Sequence, residues 1–230
     1  MPTPARTTTA ASKDVLRKFV PDFLVQQGNL VLRLGPKAGS IYAKLRLLDA
    51  MGIRKSNQGL APQSSRSLLF VCFGNIMRSA MAEFLMRQAL MGAGVQEQVR
   101  IVSAGLHASP GREAHPWAQQ ASAELGISLV EHRAKLLTPE MVEQADCILA
   151  MDFQNKTELL TLYPASQSKI FMLSAYGEQP WQYREIVDPY LGDLESTRSC
   201  SRQLQICIAN LMTSLFPLPY SSHQNPEASP

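Results

Sequence analysis

Cys72 and Arg78 stand at the two ends of a Cys-x5-Arg spacing inside the stretch VCFGNIMRSA, and their side chains supply complementary halves of one reaction. A cysteine thiolate is a strong nucleophile, and a guanidinium is a planar fork that holds two oxygens of a phosphate at once. Between them, Gly74 and Asn75 are residue types that tolerate the left-handed backbone conformations a tight loop needs. Ser79 follows with a hydroxyl placed to donate towards the sulfur. A loop of inward-turned N–H groups closed by a helix N-terminus is a concave anion site, reinforced by the helix dipole. The same positive field favours the thiolate form of Cys72. The chemistry indicated is attack by sulfur on a bound phosphoryl group. Without its context Cys-x5-Arg is a weak signal, and a buried, inert strand cysteine is the competing reading of Cys72.

The context comes from the elements on either side. LLFVC is an apolar run that predicts a strand ending on Cys72, and SAMAEFLMRQALM has the periodicity of a helix. RIVSAG, ADCILAM and KIFML predict three further strands. Helices are expected from about His115 to Leu125, from Asn155 to Leu162 and from Ser196 to Leu215. Strands alternating with helices imply right-handed crossovers and an α/β fold with a parallel sheet covered on both faces. In such a sheet, ligands bind beyond the carboxyl ends of strands, which is where Cys72 is expected.

At 230 residues the chain can bury one sizeable core and has material to spare. It contains no run of about 18 apolar residues, so no membrane span is expected. The stretch MPTPARTTTAASKD lacks the apolar core of a secretory signal and resembles an organellar transit segment only weakly. The four cysteines, Cys72, Cys147, Cys200 and Cys207, form no CxxC pair and no His cluster stands near them. Reduced thiols in a cytoplasmic protein are therefore expected, with no metal and no other cofactor.

Charge divides the chain. Residues 1–65 hold ten Lys/Arg against three Asp/Glu, while the remainder holds twelve against sixteen. The expected organisation is a basic N-terminal extension over 1–65, a globular domain over 66–216 and a disordered tail over 217–230. Within the extension the first 12 residues read as disordered. A helical face follows from Lys13 to Gln27 with a break at Pro21, and a second face joins Ile41, Leu45, Leu48 and Met51. SNQGLAPQSS then reads as a linker. These helices either dock on the globular domain or, through residues 13–55, offer a basic surface to anionic membrane or an acidic partner. Nucleic acid is not expected, since no binding motif for it is present.

VCFGNIMRSAMAE resembles the phosphate-binding loop of low-molecular-weight protein tyrosine phosphatases, V-C-x-G-N-x-C-R-S-P-x-A-E. The resemblance runs on through SAGLHASPGREAHPWAQQASAELGISLVEHRAKLL and ADCILAMDFQN to VDPYLGD, covering roughly residues 67–216. It implies a small four-stranded parallel sheet flanked by helices, here with an N-terminal helical extension. It also implies hydrolysis of phosphotyrosine through a phosphocysteine intermediate, with a phosphotyrosine protein as partner and a tyrosine kinase as the opposing enzyme. By the resemblance, Cys72 is the nucleophile, Arg78 the transition-state clamp and Asp188 the general acid. Phe73, Gly74, Asn75, Ile76, Met77 and Ser79 form the substrate loop, Tyr190 lines the cleft, and Ser103 and His132 with Asn75 brace the loop.

The sequence departs from the pattern at several positions. Met77 replaces the second loop cysteine, Ala80 the proline, and Leu191 an aromatic that follows Asp-Pro-Tyr in relatives. Ile76 stands where arginine-phosphate phosphatases of the superfamily carry threonine, which favours phosphotyrosine. Two other classes share this loop or its shape. A thiol-dependent arsenate reductase needs two further relay cysteines, and a non-catalytic phosphoresidue-binding module need not keep Cys72, Arg78 and Asp188 together.

Overall fold

The computed structural model describes residues 22–53, 61–179, 182 and 184–217, with side chains from residue 35 onward. The expected disordered N-terminus, the helical face that begins at Lys13, and the tail beyond residue 217 lie outside the described residues.

All four expected strands form: β1 (Ser67–Cys72), β2 (Arg100–Gly105), β3 (Cys147–Ala150) and β4 (Ile170–Met172). Every pairing is parallel and the order is β2-β1-β3-β4. β1 is buried on both faces, which is why it reads as an unbroken apolar run and not as an alternation. Leu68 and Phe70 point into one core, Leu69 and Val71 into another.

The helices are α1 (Asp22–Ala50), α2 (Arg78–Gly92), α3 (Pro116–Ala123), α4 (Pro139–Gln144), α5 (Phe153–Leu162) and α6 (Leu194–Leu215). The core beside Leu68 and Phe70 takes residues of α2, α3 and α6, among them Met81, Ala118 and Leu204. The opposite core takes Tyr42 and Leu45 of α1, Val142 of α4 and Phe153 and Leu159 of α5. The sheet is thus the middle of three layers. Helix α4 was not foreseen from its six residues, although Thr138 caps it by accepting from Met141 N at 3.3 Å and Pro139 fits its first turn.

The expected break at Pro21 lies outside the described residues. Helix α1 has a further, unforeseen break at Gly35, whose φ of 75° suits glycine, and Pro36 opens its second segment. Its buried face is Ala38, Tyr42 and Leu45, whereas Met51 is 55% exposed, because the helix ends at Ala50 and turns away at Gly52. The downstream end of the expected linker is also docked: Ala61 is buried and its N–H donates to the Tyr176 hydroxyl at 2.8 Å.

Candidate active site

The chain leaves β1 and β3 on opposite sides of the sheet, so a crevice opens at their carboxyl ends. Cys72 closes β1 there, and Arg78 begins α2 after five intervening residues, as the spacing predicted. No side chain caps α2 at Met77, so its first N–H groups are left to the loop. The Cys72 Sγ accepts the Asn75 N–H at 3.3 Å and stands 2.9 Å from Ser79 Oγ. Ser79 Oγ already accepts from Asn75 Nδ2 at 2.9 Å, and its own proton has two acceptors within reach, the sulfur at 2.9 Å and the Ala104 carbonyl at 3.4 Å.

Asn75 holds the loop together. Among the described residues it is the one non-glycine at positive φ, 52°. Its Nδ2 also donates to Ser103 Oγ at 2.8 Å, and its Oδ1 accepts from Lys135 N at 2.8 Å. Its carbonyl accepts from His132 Nε2 at 2.6 Å. Ser103 and His132 therefore meet Asn75 as expected. Gly74, in contrast, does not take the left-handed conformation expected of it. The demand for glycine falls on Gly105 of β2, where a Cβ would lie 2.8 Å from the backbone of Phe73, Gly74 and Asn75.

Arg78 is 2% exposed. Its Nη1 donates to Asp152 Oδ2 and to the Ile186 carbonyl at 3.0 Å, and its Nη2 donates to Asp188 Oδ2. Burial works against the guanidinium charge, but Asp152, Asp188 and Cys72 outweigh it and raise the Arg78 pKa above its ordinary value. Its buried Nε–H has no acceptor among the described residues. A buried donor without an acceptor, on a residue that lines the cavity beside Cys72, is a ready partner for an oxyanion.

Cys72, Arg78 and Asp188 share the wall of a cavity of about 180 Å³ with Phe73, Ile76, Met77 and Tyr190. Its floor is polar and its sides are largely apolar. Tyr190 is half exposed and meets the His115 ring edge-on with centroids 5.8 Å apart, while the next residue, Leu191, is 93% exposed. The arrangement can hold a tetrahedral oxyanion against a sulfur nucleophile, with a carboxyl group above it.

Two participants escaped sequence reading. Asp152 caps α5 by accepting from Asn155 N at 2.6 Å and uses its other oxygen on Arg78. Glu83, on α2, accepts from Ser103 Oγ and pairs with Arg87 at 2.7 Å. A carboxylate directly after a predicted strand was the available signal for Asp152. The other cysteines, Cys147, Cys200 and Cys207, are buried free thiols, and burial pushes the pKa of Cys200 and of Cys207 up to about 12.

The family model for low molecular weight phosphotyrosine protein phosphatase matches residues 67–216. The chain belongs to this family. A probable low molecular weight protein-tyrosine-phosphatase, EpsP of Ralstonia nicotianae, is 39% identical over 140 residues, which are 61% of this chain and 89% of that protein. A protein-arginine-phosphatase of Bacillus subtilis is 33% identical over 148 residues, covering 64% of this chain and 95% of the relative. The crystal structure of the Erwinia amylovora tyrosine phosphatase AmsI superposes with a TM-score of 0.60 at 30% identity, over 69% of this chain and 99% of that one. Residues before 67, with helix α1, lie outside the family match. Among the described residues, no helix is long and apolar enough to cross a membrane.

Proposed function

We propose that this phosphatase hydrolyses phosphotyrosine in proteins, with Cys72 as nucleophile, Arg78 as clamp and Asp188 as general acid. The observation that carries the reading is the buried Arg78 guanidinium, with Nε–H unpaired, facing the same small cavity as Cys72 and Asp188.

In this reading the phosphoryl group enters the loop and its oxygens take the loop N–H groups and the Arg78 fork. The Cys72 sulfur forms a bond to phosphorus as the bond to the phenolic oxygen breaks. Asp188 gives its proton to that oxygen, so the leaving group departs as a neutral phenol. The resulting Asp188 carboxylate then takes a proton from water, whose oxygen attacks phosphorus, and the sulfur leaves as a thiolate held by Asn75 N–H and Ser79. Inorganic phosphate departs and the site is restored.

The substrate class follows from the walls. Phe73, Ile76, Met77 and Tyr190 present apolar and aromatic surface that suits a phenyl ring. Ile76 offers no side-chain hydrogen-bond partner for the polar guanidinium of phosphoarginine, which separates this site from an arginine-directed one. A tyrosine kinase is the class of enzyme whose product such a site consumes. Residues 66–216 form the catalytic unit, and α1 packs upon it.

The test is a comparison of phosphotyrosine and phosphoarginine peptides with wild type and Cys72→Ser. Turnover of phosphotyrosine peptide by the wild type is expected, together with an inert Cys72→Ser protein that still binds the peptide. Retention of even a few per cent of activity in Cys72→Ser, or a preference for phosphoarginine, would overturn the reading.

A further inference from the structure

Arg46 lies on α1, outside the family match, yet it reaches the loop that carries Asp188. Its guanidinium is fixed from three sides. It pairs with Glu185 Oε2 at 2.8 Å, its Nε donates to the Tyr42 hydroxyl at 3.1 Å, and the Phe153 ring lies 5.3 Å from its carbon. Tyr42 is itself buried against the sheet, so the arginine starts from a rigid base.

Glu185 joins this arginine to the site. Its second oxygen, Oε1, accepts the Phe153 N–H at 2.7 Å, beside the Asp152 that holds Arg78. The next residue, Ile186, is fully buried, donates its N–H to the Met151 carbonyl at 2.9 Å, and accepts Arg78 Nη1 at 3.0 Å on its own carbonyl. Asp188 follows two residues later. The far side of this segment borders a cavity of about 910 Å³ whose wall includes Arg46, Glu185, Val187 and Asp188, and Val187 is 74% exposed. The root of the acid loop is therefore Glu185 with Ile186, and half of the Glu185 anchorage comes from Arg46.

That root matters most when substrate is bound. A phosphoryl group competes with Asp188 for the Arg78 guanidinium, and the direct tether between acid and clamp is exchanged for one to the ligand. The geometry that aims Asp188 at the leaving oxygen then depends on the loop's own anchors.

We propose that Arg46 is a positioning residue for Asp188, acting through Glu185, so that the helix preceding the family domain tunes general-acid catalysis. The proposal rests on Asp188 being the general acid, and its test separates the two. Full-length wild type, Arg46→Ala, Arg46→Lys, Glu185→Gln and Asp188→Asn are assayed on p-nitrophenyl phosphate and phenyl phosphate. The quantity read is kcat/KM, which reports formation of the phosphocysteine.

A misplaced acid costs most where the leaving group needs protonation, and a displacement of the order of an ångström can cost up to about 100-fold. Arg46→Ala is expected to lose about tenfold on phenyl phosphate and less than about twofold on p-nitrophenyl phosphate, a fraction of what complete loss of the acid removes. Arg46→Lys should recover most of the loss, and Glu185→Gln should reproduce it. Near-normal turnover of p-nitrophenyl phosphate serves as the control for folding. Equal losses on both substrates, or none, in Arg46→Ala would overturn the proposal when Asp188→Asn shows leaving-group dependence. Absence of that dependence in Asp188→Asn itself would overturn the general-acid reading, and this proposal with it.

Discussion

Arg78 and Asp188 are bonded directly, Nη2 to Oδ2, although 110 positions separate them in the chain. The arginine is buried and the carboxylate is 41% exposed, so the acid is the partner that can leave. In the free protein the Arg78 guanidinium is held by the carboxylate proposed as the general acid, and on that reading substrate must displace it. Charge-assisted hydrogen bonds of this kind compete strongly with a phosphate oxygen.

Asp188→Ala should therefore slow turnover while tightening inorganic phosphate binding. Removing a competitor worth on the order of 1.5 kcal/mol corresponds to about tenfold in affinity. Calorimetric titration of phosphate into both proteins measures it. An unchanged or weaker affinity would mean that the ion pair does not oppose ligand entry.

Gly105→Ala tests the support beneath the loop. The added Cβ would meet Asn75 N, the Gly74 carbonyl carbon and Phe73 O at 2.8 Å, all backbone atoms. Nothing there can rotate away, so the loop must shift relative to β2. A displacement of the order of an ångström is expected to cost up to about 100-fold in kcat/KM, with the sheet still formed. Activity within about twofold of wild type would show that the loop tolerates the shift.

The sheet and the nucleophile loop were legible in the sequence because their signals are local. β1 is buried on both faces and reads as an apolar run, and Cys72, Asn75 and Arg78 lie within one short turn. Asp152 and Glu83 were not legible as participants, because their roles exist only through contacts across the fold: Asp152 meets Arg78 across 74 positions. The expected need for a left-handed glycine at position 74 was misplaced for a related reason. The close approach that requires glycine is between the loop and β2, and only folding reveals it.

Removing residues 1–64 should leave a weaker but active enzyme. Tyr42 and Leu45 leave the core, and the Ala61 N–H bond to Tyr176 is lost. Burying each such side chain contributes about 1.5–3 kcal/mol. At about 2–4 °C per kcal/mol for a chain of this size, melting should fall by roughly 10 °C. Scanning calorimetry and p-nitrophenyl phosphate turnover measure both effects. An insoluble or inactive product would place α1 inside the catalytic unit.

His132 predicts a pH dependence of stability. Burial lowers its pKa, against the Asn75 carbonyl and Glu83, which favour the charged ring; Lys135 and Arg133 act with burial. The neutral ring is thus the native form, donating Nε2–H to Asn75. Below the ordinary histidine value of about 6.5 the unfolded chain takes a proton that the folded chain resists, so stability falls as pH drops from there towards the depressed native value. His115, lowered by burial and Arg112, acts with the same sign. Melting temperatures at about pH 7.5 and 5.5 should differ more for wild type than for His132→Gln. Equal differences would remove His132 as the source.

Met77 sets the response to oxidants. A thiolate reactive enough to attack phosphorus is also the form that peroxide oxidises, first to sulfenic acid and then irreversibly. A cysteine at position 77 could condense with the sulfenic acid, releasing water and forming a disulfide that thiols reduce. The Met77 thioether, buried beside the loop, has no proton to lose and makes no such bond. Of the remaining thiols, Cys147 is sealed within β3 and its pKa is raised by burial and Asp146. Cys200 and Cys207 lie on α6 and are also held protonated, chiefly by burial. Cys200 is the one of these whose thiol feels the charges of Arg78, Asp188 and Cys72, so it is the competitor to check. A timed peroxide pulse should inactivate the wild type with poor recovery on adding dithiothreitol, and Met77→Cys should recover much more. Full recovery of the wild type, abolished in Cys200→Ser, would show instead that α6 supplies the protecting sulfur and that Met77 has been compensated from across the core.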